Sequence, residues 1–162
     1  MKTIRQNTFE TNSSSTHAYT INVMANDKPT FKPLIYVDKY TVTNSYDESD
    51  SWNGRATLCI RYGYITTGQP TVNNILEWLA EFLGVPVTLD ERVLKSSKEC
   101  GAPVDDDEAL HDYMRDEFYS WCRDGGTEDF ISDMNKITSD KNLFLSFVFS
   151  ESSVSTETYY DG

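Results

Sequence analysis

Hydrophobic positions along this chain change period twice, and those changes set the expected elements. In the first third they alternate. His17, Tyr19, Ile21 and Val23 stand between more polar neighbours and predict a strand. Residues 2–10 predict another before it, the two joined as a hairpin or tight crossing through the polar turn between them. "LIYVDKYTV" (34–42) is rich in β-branched and aromatic residues, as strands are. Beyond the turn-rich loop 43–54, Leu58, Ile60, Tyr62 and Tyr64 alternate with Thr57, Cys59 and Arg61, the pattern of a half-buried strand.

From residue 71 the step lengthens to helical spacing. Val72, Ile75, Leu76, Leu79, Phe82 and Leu83 fall on one stripe, with Thr71 as the expected N-cap, Gly84 as the stop and Pro86 just beyond. Leu110, Tyr113, Met114, Phe118, Trp121 and Cys122 predict a second helix over 106–123, ended by Gly125 and Gly126. Phe130, Ile131, Met134 and Ile137 predict a third near 128–137, capped by Thr127. "NLFLSFVFS" (142–150) is apolar on both faces and reads as a central covered strand, which the tail "ESSVSTETYYDG" extends. The expected fold is therefore α+β: a mainly antiparallel sheet with about three helices inserted before a C-terminal strand, residues 1–162 forming a single domain.

Composition adds that this pattern is meant to fold. Ten Tyr, eight Phe and three Trp supply large burial, although hydrophobic residues make up only 38%. No apolar run approaches the length of a membrane span, and the basic start lacks the apolar region of a signal peptide. Cys59, Cys100 and Cys122 are widely spaced and odd in number, without a CxxC pair, so reduced thiols and a cytoplasmic location are expected.

Charge changes the picture most. The net charge is −12, and residues 82–162 hold seven Lys/Arg against eighteen Asp/Glu. Direct nucleic-acid binding by that half is disfavoured, since phosphate contact depends on cations. Asp105, Asp106, Asp107 and Glu108 stand where the N-terminus of the second expected helix welcomes negative charge. Asp112 and Asp116 are like charges four residues apart, a mildly unfavourable spacing that a cationic partner would relieve. The expected partner-binding residues are Asp106, Asp107, Asp112, Asp116, Glu117 and Tyr119, with Trp52 as a further aromatic anchor. Such a row of carboxylates offers a basic nucleic-acid channel a phosphate-like track. A solvated helix face explains the same residues without a partner. No metal site is expected: "DDDEALHD" lacks the alternating ligands and turning Gly of a Ca²⁺ loop, and His111 with Asp112 makes no HExxH.

The polar turn is the other candidate. Asn12, Ser13, Ser14, Ser15, Thr16 and His17 run together, and His17 is one of two histidines. Hydroxyls and backbone N–H groups there suit a phosphate, with His17 for proton transfer and Ser14 as its companion in a catalytic alternative. No GxSxG, GxxxxGK[ST] or GxGxxG accompanies them, so the reading leans away from an enzyme and implies no cofactor. Side-chain to backbone bonds satisfying a tight turn are the plainer explanation. Arg5, Ser14 and Glu157 can be laid onto an ADP-ribosyltransferase pattern only by forcing.

"RQNTFETNSSSTH" resembles the N-terminal signature of small proteins scattered through bacteriophage and Gram-positive bacterial genomes. The resemblance covers roughly the first twenty residues and implies a phage or mobile-element origin. Small acidic phage proteins are often inhibitors of host defence, anti-CRISPR proteins among them. The implied function is an inhibitor that binds a basic, nucleic-acid-handling host protein, such as a CRISPR effector or other defence nuclease, through the acidic half. The alternatives are a nucleotide- or phosphate-binding protein or transferase built on the Ser/Thr turn, and a phage structural or assembly protein.

Overall fold

The computed structural model describes residues 15–21, 28–43, 51–94, 127–150 and 154–160. Its elements in chain order are β1 (Ser15–Ile21), β2 (Tyr40–Val42), α1 (Trp52–Thr67), α2 (Gln69–Leu83), β3 (Val87–Leu89), α3 (Thr127–Ser139), α4 (Lys141–Phe149) and β4 (Val154–Tyr160). The fold is mostly helical, which overturns the expectation of a mainly antiparallel sheet with inserted helices. Among the described residues the sheets are two separate pairs, β1 with β4 antiparallel and β2 with β3 parallel. The expected strand 2–10 and helix 106–123 lie outside the described residues.

The largest correction is α1, whose residues 57–64 alternate like a strand. Ser51 caps it by accepting from the Gly54 N–H at 3.0 Å. Asn53 through Gly63 are all buried, so this helix runs through the middle and packs against α2, α3 and α4. A helix buried all round has no apolar stripe to show. Its sequence pattern then follows whichever polar groups find partners inside.

The second correction is α4, expected as a covered strand over 142–150. Asp140 caps it, its carboxylate accepting from the Leu143 N–H at 2.9 Å. Phe144 through Phe149 are buried. Burial on both sides was read rightly from the sequence, but a short apolar run does not distinguish strand from buried helix.

The helix near 71–83 forms as α2 and the one near 128–137 as α3. In α2 the start differs: Gly68 stands at the cap position, Pro70 lies in the first turn, and Thr71 is inside the helix. Gly84 does end it, in the left-handed conformation at φ +77. The α1–α2 pair approaches closely at Gly63, where an added Cβ would lie 2.6 Å from Thr71 Cγ2.

Of the segment 34–42 only Tyr40–Val42 is strand. It joins β3 through Tyr40 N–H to Pro86 O and Asp90 N–H to Val42 O, each 2.9 Å. Residues 28–36 cross the core without regular secondary structure, with Phe31 and Ile35 packed against it. That strap is tied to the end of α4, where Phe149 O accepts from both Thr30 N–H (3.0 Å) and Phe31 N–H (3.2 Å). One apolar cluster joins β2, all four helices and Val93.

Candidate functional site

Two places collect polar side chains at the ends of this frame. The first surrounds the N-terminus of α1. Asn53 accepts from Tyr40 Oη at 3.2 Å and donates to Thr43 Oγ1 at 3.2 Å. Thr57 Oγ1 lies 2.8 Å from Asn53 O and 3.0 Å from Thr43 O. Arg55 donates from one nitrogen to Phe147 O at 3.0 Å and Ser150 O at 3.1 Å. Ser150 Oγ donates in turn to Lys28 O. These groups sew the strap, α1 and the C-terminus of α4 together. Their partners are mostly backbone carbonyls, which is the work of a structural tie rather than of a site awaiting substrate.

An aromatic wall closes the same region. Phe149 stacks on Phe82 with centroids 4.4 Å apart, and Trp52 lies 5.4 Å from Phe149 and 4.6 Å from Tyr40. Trp52, expected as a partner anchor, is therefore half-buried in this wall. Cys59 is fully buried, and desolvation drives its thiol pKa well upward although Arg55 pulls it down. Such a thiol is inert as a nucleophile.

The second place is the β1–β4 ribbon. Its register sets Ser15 opposite Tyr160, Thr16 opposite Tyr159, His17 opposite Thr158 and Ala18 opposite Glu157. Tyr19 stands opposite Thr156 and Thr20 opposite Ser155. The chain thus brings the hydroxyl-rich end of the opening motif beside a second hydroxyl-rich run from the far terminus. The expected hairpin partner for this strand was residues 2–10; the described partner is β4. Sequence spacing gave no sign of a pairing across most of the chain.

Asn12, Ser13 and Ser14 of the polar turn lie outside the described residues, as does Arg5. Asp105, Asp106, Asp107, Glu108, His111, Asp112, Asp116, Glu117 and Tyr119 lie outside them as well. Among the described residues no three His, Cys, Asp or Glu side chains gather as a metal would require. A recess of about 20 Å³ lined by Asp133, Lys136, Ile137 and Leu143 has room for a water, not for a substrate. No helix among the described residues is long and apolar enough to cross a membrane.

The described frame is almost neutral. It holds eight Lys/Arg and ten Asp/Glu, of 14 and 26 in the whole chain. Comparison with known protein families, with curated proteins and with solved structures finds no match for this chain.

Proposed function

We propose that the chain is an acidic protein inhibitor of phage type, acting in the host cytoplasm on a basic, nucleic-acid-handling protein such as a defence nuclease. The segregation of charge carries this reading. Eight carboxylates between residues 105 and 124 stand against only Arg115 and Arg123 in sequence, within a half-chain of seven Lys/Arg and eighteen Asp/Glu. So lopsided a charge favours a cationic partner. Asp106, Asp107, Asp112, Asp116 and Glu117 are the residues assigned to that contact, with Tyr119 as the aromatic anchor.

Immobilised protein should retain a basic nucleic-acid-binding protein from host lysate at low salt and release it as salt rises. The captured nuclease should lose cleavage activity on addition of the free protein. Joint reversal at Asp112, Asp116 and Glu117 to Lys should abolish both effects. Retention that survives the reversal removes the reading.

The register of the ribbon favours a second reading, a phosphate-binding role for the paired segments that carry Ser15, His17, Thr156 and Thr158. Titration with nucleotides and cyclic oligonucleotides tests it. A thermal shift lost in His17→Ala supports this role, and no shift with any of them excludes it.

A further inference from the structure

Exposure alternates along the strap. Lys28, Thr30, Lys32, Leu34 and Tyr36 are exposed, while Pro29, Phe31, Pro33 and Ile35 are half-buried. The exposed side changes character midway, from Lys and Thr to large apolar residues. Leu34 and Tyr36 are 81% and 88% exposed, and Val37 just beyond is 53% exposed. Single exposed hydrophobics need no explanation, but three within four residues form a patch. Between Pro33 and Val37 the strap is therefore apolar on both of its sides.

A segment with one apolar side docks in one way, because a shift by one residue turns its apolar set out and its polar set in. That penalty is missing here. A one-residue shift toward Phe31 sets Leu34 where Pro33 stands and Tyr36 where Ile35 stands, apolar for apolar at both places. Further back the same shift is forbidden. It would carry Lys32 into the place of Phe31, whose ring meets that of Phe149 edge-on at 5.9 Å.

Hydrogen bonds divide the strap at the same point. Thr30 N–H and Phe31 N–H both donate to Phe149 O, and Tyr40 N–H donates to Pro86 O at 2.9 Å. Between these two ties, among the described residues, no hydrogen bond holds Lys32 through Lys39. The middle rests on side chains instead, with Ile35 against the core and Lys32 Nζ 6.0 Å from the Phe82 ring centroid. Slack is present as well. Residues 37–39 are bent, and straightening them releases the roughly 3.5 Å of chain that a one-residue shift takes up. The surplus residue on the other side falls at Lys32 and Pro33, and proline suits a bulge.

We infer that the strap has two docked arrangements. One holds Ile35 inward with Leu34 and Tyr36 outward; the other holds Leu34 and Tyr36 inward with Ile35 outward. The tied ends are common to both, so the exchange is local and the helices stay in place. It is a conformational switch that changes which apolar residues this side of the molecule presents. The switch is independent of the acidic contact proposed above and uses none of its residues.

Relaxation-dispersion NMR on the full chain tests it. A second arrangement populated at about 1–10% gives exchange broadening at Leu34, Ile35, Tyr36 and Val37, and none at Thr30, Phe31 or Tyr40. Leu34→Ser combined with Tyr36→Ser removes the residues that turn inward, and should abolish the broadening while the thermal melt stays unchanged. Ile35→Ser should raise the second population about ten-fold in the same measurement. It should also slow the nitration of Tyr36 by tetranitromethane, in proportion to the fraction that turns this ring inward. No broadening in the parent chain overturns the inference. So does broadening that persists in the double variant, which would mean that the strap merely lifts, or an unchanged nitration rate in Ile35→Ser.

Discussion

Replacing Arg55 with Met sets two opposing effects against each other at one buried position. The guanidinium is only 6% exposed and donates to two carbonyls at the C-terminus of α4, at 3.0 and 3.1 Å. The last carbonyls of a helix have no partner within it, and Arg55 supplies a donor to Phe147 O and Ser150 O. Hydrogen bonds to charged groups contribute about 1.5–3 kcal/mol each, and an orphaned buried carbonyl costs about 1–3 kcal/mol. The positive charge also lies at the negative end of the α4 dipole, worth up to about 2 kcal/mol when partly buried. Against this, Met removes the desolvation cost of a buried cation, and swaps of that kind have stabilised other proteins by about 1–4 kcal/mol.

Geometry decides the balance. Those stabilising swaps replaced complete ion pairs, so no polar group was left behind. Here the acceptors are main-chain oxygens that the substitution leaves in place. The expected net loss is about 3 kcal/mol, with Arg55→Lys losing about half because one donor can still reach one carbonyl. Urea denaturation followed by tryptophan fluorescence should show the midpoint falling by about 1–2 M at unchanged slope. Stability equal to or above that of the parent chain would refute the argument, since it would mean that burying the cation costs more than its two bonds return.

The remaining predictions concern packing and titration. Gly63→Ala places a Cβ 2.6 Å from Thr71 Cγ2 and should destabilise by about 1–3 kcal/mol; Thr71→Ser, which removes that methyl, should restore most of the loss in a thermal melt. Phe149→Ala removes the ring shared by Phe31, Phe82 and Trp52, and should cost about 3–5 kcal/mol. It should also loosen the strap, so that trypsin cuts at the exposed Lys39 before it cuts at the buried Arg55 and Arg61; simultaneous cleavage would contradict that order. Burial raises the Cys59 pKa above its ordinary value of 9.0, so the folded state holds the proton more tightly than the unfolded chain. Its contribution is therefore complete below about pH 8.5 and declines as pH rises past it, by up to about 1.4 kcal/mol per unit. Cys59→Ala should flatten that part of a stability profile measured between pH 8 and 10, and an unchanged slope would show that the thiol is not held protonated.

What could be read from the sequence follows from how each element meets water. α2 has one face on the core and one outside, and its stripe was plain from Val72 to Leu83. α3 was legible for the same reason through Phe130, Ile131, Met134 and Ile137. α1 and α4 have no wet face over most of their length, so the period that identifies a helix is missing. In α1 the misleading residues are Thr57, Arg61 and Arg55, polar positions that read as solvent-facing and are all buried. The better signals were local: Ser51 and Asp140 stand at the caps with their side chains on the third N–H beyond. At 16 residues Trp52–Thr67 exceeds an ordinary strand, whereas the nine residues of Lys141–Phe149 do not.

The pairing of β1 with β4 was illegible for a different reason. Local pattern predicts that a segment is extended, but the partner is chosen by closure of the whole chain. His17 and Thr158, from opposite ends of the chain, stand opposite one another in this pairing. This bears on how the opening motif is understood. As a turn between adjacent strands, its hydroxyls would be spent on local backbone bonds. As the start of a strand paired with Val154–Tyr160, Ser15 stands opposite Tyr160 and His17 opposite Thr158 instead. The register of the whole chain, not the local pattern, therefore decides which hydroxyl-bearing segment the opening motif meets.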